Sequence, residues 1–170
     1  MTFAIRRYAE ADHAAVRDLF IRVNRELAPA DLRAAFESYI ARSLTEEIDR
    51  IADYYADKQG AFFVGHESGT LAGMLGLEGI GAPAAELRRM YLDRPFRGRG
   101  LARLMLDQAE WTCRKAGTPL LTLSTSELQQ AALALYRNAG YRLVREETAA
   151  AQTSKTVGGN IRRYYFEKAL

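Results

Sequence analysis

Apolar residues recur along this chain at two spacings, and the places where one spacing gives way to the other mark its elements. Phe3 and Ile5 alternate with polar neighbours and predict a short first strand. From Ala11 to Leu27, Val16, Leu19, Phe20 and Val23 share one helical face, and Ala28-Pro29 breaks it. A second helical pattern runs to about Lys58 through Leu32, Phe36, Ile40, Leu44, Ile48, Ile51 and Tyr55. Ser43-x-x-Glu46 reads as a capping box that splits it into two kinked helices. Phe62-Phe63-Val64 and Leu71 to Leu77 predict a hairpin turning at Ser68-Gly69. A central strand starts at Glu86 and alternates from Leu87 to Leu92. After Arg97-Gly98-Arg99-Gly100, a helix carries Leu101, Met105, Ala109, Cys113 and Ala116 inward and stops at Gly117, with Pro119 beyond. Leu120 to Leu123 predicts a short strand. Ser126-x-x-Gln129 reads as the capping box of a last helix, with Ala132, Leu135, Tyr136 and Ala139 inward and Gly140 as its stop. Tyr141 to Arg145 and Ile161 to Glu167 are two final strands, joined by a polar connection through Gly158-Gly159-Asn160. The order is βααβββαβαββ, a mixed α/β layer fold with a mixed sheet, in a single domain over 1–170.

Composition narrows the class. At 170 residues and 48% hydrophobic the chain buries a full core as one domain. One cysteine, Cys113, leaves no internal disulfide and fits a reducing compartment, so a cytoplasmic location is expected. The first residues have no signal-peptide pattern, and no run has the apolar length of a membrane span. The net charge of +3 is not that of a polybasic protein, yet residues 86–103 hold six arginines against Glu86 and Asp93, a local +4. Positive charge is thus expected to focus on the glycine-rich turn.

That turn joins a strand directly to a helix N-terminus, where unpaired N–H groups and the positive dipole end favour an anion. A dinucleotide fingerprint fails because Arg103 stands where the third glycine belongs, and no Walker Gly-Lys-Ser/Thr is present. What remains, Arg97-x-x-Gly100-x-Ala102, resembles the [Q/R]-x-x-G-x-[G/A] pyrophosphate loop of the GNAT superfamily of acetyl-CoA-dependent N-acetyltransferases. Gln129-x-x-Ala132-x-x-Leu135-Tyr136-x-x-x-Gly140-Tyr141 is similar to that superfamily's N-x-x-A-x-x-L-Y-x-x-x-G-[FY] helix, with glutamine in place of asparagine. Thr125 to Tyr136, Phe36-x-x-Tyr39, Tyr54-Tyr55 and Gly73-Met74-Leu75-Gly76 resemble the camello-like branch, related to the cysteine S-conjugate N-acetyltransferase. The superfamily likeness covers nearly the whole chain, and the branch likeness residues 36–144. Animal members of that branch carry a membrane segment that this sequence lacks.

The resemblance implies a splayed central strand pair holding the cosubstrate acetyl-CoA, with no metal. Met90, Tyr91 and Leu92 would pair with its pantetheine arm, and Arg97, Gly98, Arg99, Gly100, Leu101 and Ala102 would hold its pyrophosphate. Tyr136 is the candidate acid for the departing thiolate; as a core aromatic it would instead only pack. Glu86 is the candidate base, acting through water after burial raises its pKa, or else a solvated partner of an arginine. Gln129 either touches the cofactor or completes the capping box with Ser126, which the spacing favours. Cys113 lies on an apolar stripe and reads as core. His13 and His66 have no ligand spacing around them.

The activity so implied is N-acetylation of a primary amine by direct attack on the thioester. The acceptor is a small molecule, an amino acid or S-conjugate among them, with Arg22, Arg25 and Arg88 as a carboxylate clamp. A protein lysine or N-terminal acetyltransferase and a non-catalytic acyl-CoA-binding module stay open, as does a homodimer. Neither nucleic acid nor membrane is expected as a partner: Tyr91 and Phe96 make a thin stacking platform.

Overall fold

Seven strands form one twisted sheet in the computed structural model, which describes residues 2–170. The elements are β1 (Phe3–Arg7), α1 (His13–Leu27), α2 (Arg33–Glu46), α3 (Ile51–Asp57), β2 (Ala61–Glu67), β3 (Thr70–Glu78), β4 (Ala84–Leu92), α4 (Leu101–Lys115), β5 (Leu120–Ser126), α5 (Gln130–Asn138), β6 (Arg142–Ala149) and β7 (Ile161–Ala169). The sheet order is β1-β2-β3-β4-β5-β7-β6, antiparallel throughout except for the parallel pair β4 and β5. This is the mixed α/β order that the periodicities predict, with the second helical stretch divided into α2 and α3.

Strand alternation places apolar side chains on both faces of the sheet. Phe62, Val64 and Met74 pack against Val16, Phe20, Tyr39, Ile51 and Tyr55 of α1 to α3. Phe63, Leu75, Leu77 and Leu87 pack on the other side against Met105, Ala109 and Cys113 of α4. Ser68 and Gly69 turn the hairpin with φ of +50° and +79°.

Three local expectations are corrected. Ser43 lies inside α2, buried, so it caps nothing; the chain breaks instead at Glu47, whose backbone leaves the helical region at φ −140°, ψ −61°. Ser126 remains the last residue of β5, paired with Arg163, so α5 starts later than the capping box requires. Ala116 is exposed at the end of α4 and does not join Cys113 in the core.

Candidate active site

The parallel pairing of β4 with β5 lasts only from Ala84–Leu87 against Leu120–Leu123. Beyond it β5 stays with β7 and β4 with β3 alone, so the two central strands diverge. In the same stretch β4 bulges. Gly76 faces Arg88 and Met74 faces Tyr91, which leaves Arg89 and Met90 together opposite Leu75. Arg89 takes the left-handed backbone there, φ +53°, which costs a non-glycine residue about 1–3 kcal/mol and needs holding.

The holding group is Glu47, at the break between α2 and α3. Its carboxylate is 2% exposed and accepts from Arg89 Nε (3.0 Å) and Nη2 (2.8 Å), Arg88 Nη2 (3.1 Å) and the Tyr55 hydroxyl (2.6 Å). Arg89 Nη1 donates to the Tyr39 hydroxyl (2.6 Å), and Arg88 also binds Glu78. Gly76 makes room for this: a Cβ there would stand 2.1 Å from the Tyr55 hydroxyl oxygen. The sequence marks none of it, because Glu47 is one acid in a run of them and its partners lie far along the chain.

The divergence opens a cleft of about 350 Å³, floored by Met90, Tyr91 and Leu92 and walled by α1, α4 and α5. Arg97, Gly98, Gly100, Leu101 and Ala102 form one end, and Gln129 and Tyr136 line its side. Gly98 and Gly100 turn at φ +74° and +78°, and a Cβ on either would meet no protein atom within 4 Å. Among the described residues the backbone amides from Gly98 to Ala102 donate to no protein acceptor. They sit at the N-terminus of the 15-residue helix α4, so donors and dipole point the same way. This end of the cleft fits a pyrophosphate, and the open edge of β4 fits an extended amide-bearing arm. Arg99 alone of the expected cleft residues turns its side chain away.

The arginine side chains are a second correction. Arg97 binds Glu26 and the Leu92 carbonyl, Arg99 binds Glu67 and Arg103 binds Asp107. With Arg88 and Arg89 spent on Glu47, most of the local positive charge is neutralised within the fold. The loop offers an anion its N–H groups rather than guanidinium groups. The expected acceptor clamp is occupied too: Arg22 binds Asp18 and Asp93, Arg25 binds Glu37, and Arg88 binds Glu47 and Glu78.

A smaller, polar cavity of about 80 Å³ adjoins the cleft, sharing Met90, Tyr91, Gln129 and Tyr136 with it. Tyr136 therefore stands between the two. It is 6% exposed, rests on Tyr141 and Phe166, and turns its hydroxyl toward Met90 Sδ at 3.9 Å. Burial, with Tyr91 nearby, pushes this hydroxyl far above the usual tyrosine value. Glu86 lines the same cavity; its side chain is 28% exposed and is ion-paired with Lys155, from the connection before β7. Its partner is thus a lysine rather than an arginine.

Gln129 is the first residue before α5, and its side chain makes no cap. Its Oε1 accepts from Thr125 Oγ1 (3.0 Å) and Ser126 Oγ (3.5 Å), which holds the amide at the wall of both cavities. Cys113 is fully buried in the core, and burial raises its thiol to about 11. His13 pairs with Asp49, and His66 lies beside Asp12. Among the described residues no three His, Cys, Asp or Glu converge as metal ligands, and no helix is long and apolar enough to cross a membrane.

Comparison with known proteins gives the family and relatives of the same fold. Residues 26–141 match the model of the Acetyltransferase (GNAT) family. Among curated relatives, the mouse (Mus musculus) probable N-acetyltransferase family 8 member 5 is 27% identical over 112 residues, 63% of this chain and 49% of that protein. N-acetyltransferase 8 of Rattus norvegicus is 26% identical over 113 residues, 63% of this chain and 51% of that one. The chain spans about half the length of the curated relatives it matches. In structure it resembles the PaiA N-acetyltransferase of Thermoplasma acidophilum in complex with coenzyme A, with TM-score 0.77 at 18% identity and full coverage of both chains. It also resembles YncA of Salmonella typhimurium, a putative acetyltransferase with acetyl-CoA, with TM-score 0.73 at 16% identity over 99% of this chain and 94% of that one.

Proposed function

Because this chain belongs to the GNAT acetyltransferase family, we propose that it is an acetyl-CoA-dependent N-acetyltransferase acting on a primary amine of a small molecule. The observation that carries the reading is the position of Tyr136 in the wall shared by an open cleft and a small polar cavity. The cleft, with its unpaired loop amides, takes the donor. The small polar cavity takes the amine and its nearest substituents.

Acetyl-CoA supplies the activated acyl group when bound. The amides of Gly98 to Ala102 hold its pyrophosphate, and the β4 edge from Met90 to Leu92 aligns the arm. The left-handed turn at Arg89, fixed by Glu47, sets the direction in which the Met90 and Tyr91 backbone faces the reacting carbonyl. The amine nitrogen attacks the carbonyl carbon, the C–N bond forms and the C–S bond breaks. The Tyr136 hydroxyl gives its proton to the departing sulfur. Its raised pKa keeps it protonated, so the proton is still present when the C–S bond breaks. Glu86, within the same cavity, takes the proton released by the amine through water.

The test is Tyr136→Phe, which keeps the ring and removes the acid. Binding of CoA, followed by calorimetry, is expected to survive, while amine-dependent thiol release falls by about a hundred- to ten-thousand-fold. Loss of CoA binding, or turnover at the original rate, would remove Tyr136 from this role.

A further inference from the structure

Four cations line the polar cavity, and three of them are already matched. Arg88 and Arg89 bind Glu47 and Glu78, and Lys155 binds Glu86. Arg163 is different. It stands on β7 opposite Ser126 of β5 and Glu147 of β6, and among the described residues it forms no ion pair. Its Nη2 donates to the Ser124 hydroxyl at 2.7 Å, while its Nε is shielded from water and has no acceptor at all. The carboxylate facing it across the strands is taken: Glu147 accepts from Arg145 Nη1 at 2.6 Å and from the Tyr165 hydroxyl.

The Nε is closed to a ligand as it is to water, but Nη1 has no hydrogen-bond partner and is not shielded, so it is open to an acceptor that a ligand brings. The other charges around the cavity cancel in pairs, so Arg163 leaves it with one positive charge in excess. A bare ammonium entering there meets repulsion, whereas an amine that carries its own anion meets a partner. The guanidinium edge is flat and forked, which suits a carboxylate. The small volume sets the distance: an amine placed beside Tyr136 and Glu86 keeps only its nearest substituents within the cavity.

We infer that Arg163 is the residue that selects the acceptor, by taking a carboxylate carried close to the reacting amine. This rests on the acetyl-transfer reading above, and it replaces the occupied Arg22, Arg25 and Arg88 with a residue that sequence spacing does not single out.

Initial rates of thiol release test it on three probes: phenylalanine, 2-phenylethylamine, which lacks the carboxylate, and the corresponding aminophosphonate. Wild-type protein is expected to favour phenylalanine over the bare amine by about ten- to a hundred-fold in kcat/KM, with the phosphonate behind phenylalanine. In Arg163→Met that ratio is expected to collapse toward one, through a rise in KM for phenylalanine and not in KM for acetyl-CoA. Arg163→Lys is expected to retain part of it. A second readout covers a variant that folds poorly: in wild type, 3-phenylpropionate, which has the carboxylate but no amine, competes with 2-phenylethylamine. Release that ignores the carboxylate, a ratio that survives Arg163→Met, or absence of that competition overturns the assignment while acetyl transfer stands. Absence of amine-dependent release with every probe overturns the acetyl-transfer reading itself.

Discussion

Glu47 carries more of the site's electrostatics than any residue that touches the cleft. Two buried guanidinium groups share its carboxylate, and removing it leaves both charges without that counter-charge in a water-poor interior. Glu47→Ala is therefore expected to destabilise the fold by about 3–5 kcal/mol, measured by urea unfolding. A loss below about 1 kcal/mol would show that Arg88 and Arg89 find other partners. At Tyr136 the raised pKa fixes a pH dependence. The hydroxyl stays protonated, so the rate should rise with pH as the amine deprotonates and show no fall attributable to Tyr136 below about pH 10. A descending limb that disappears in Tyr136→Phe would contradict this. Residues placed by a local pattern were legible in the sequence: the loop glycines, Met90 to Leu92 and Tyr136 all line one cleft. Arg22, Arg25 and Arg88 were not, because Asp93, Glu37 and Glu47, which occupy them, stand 71, 12 and 41 positions away. No spacing rule reaches that far.

At the scale of the element, the turn into α4 is the part with a single purpose. Gly100 precedes the helix in the left-handed region with open space beside it, so a larger residue there meets no protein atom. Gly100→Val is expected to fold with a modest loss, about 1–2 kcal/mol from the backbone conformation. It should also abolish the rise in Tm that CoA gives the wild type, because the side chain fills the space before the free amides. A variant that keeps the CoA-dependent rise would place the phosphate elsewhere. Helix ends set by glycine were readable, since Gly117 and Gly140 adopt φ of +70° and +87°. Those read from Ser-x-x-Glu and Ser-x-x-Gln were not. Tertiary packing overrides so short a motif: Ser43 is buried inside α2, and sheet pairing keeps Ser126 in β5. The bulge at Arg89 left no trace in the sequence because no glycine marks it.

Across the whole molecule, arginine–carboxylate pairs tie helices and loops to the sheet and to one another. Arg6 holds Asp12, Arg22 holds Asp93, Arg25 holds Glu37 and Arg99 holds Glu67 below their ordinary carboxylate pKa values. Depressed folded values mean that this stabilisation is complete above the unfolded carboxylate range and is lost as pH falls through the folded values. Tm should therefore be nearly flat from neutrality to about pH 5 and fall below about pH 4, with most of these surface pairs weakened by salt. A Tm that holds through that acid range would show that the pairs contribute little. The order of the elements was legible because period and turn signals changed together at each boundary, whereas the divergence of β4 from β5 was expected only from the family resemblance. The two cavities were not legible, since they depend on how far the strands part. The central claim is that these cavities, meeting at Tyr136, carry an acetyl group from a thioester to an amine. The measurement that tests it most directly is thiol release from acetyl-CoA by the purified chain, with and without a panel of small primary amines, and mass analysis of each amine afterwards. Release that depends on the amine, with one acetyl group gained by it, is the expected result. Tight CoA binding with no amine-dependent release and no acetylated product would contradict the claim and leave a binding module.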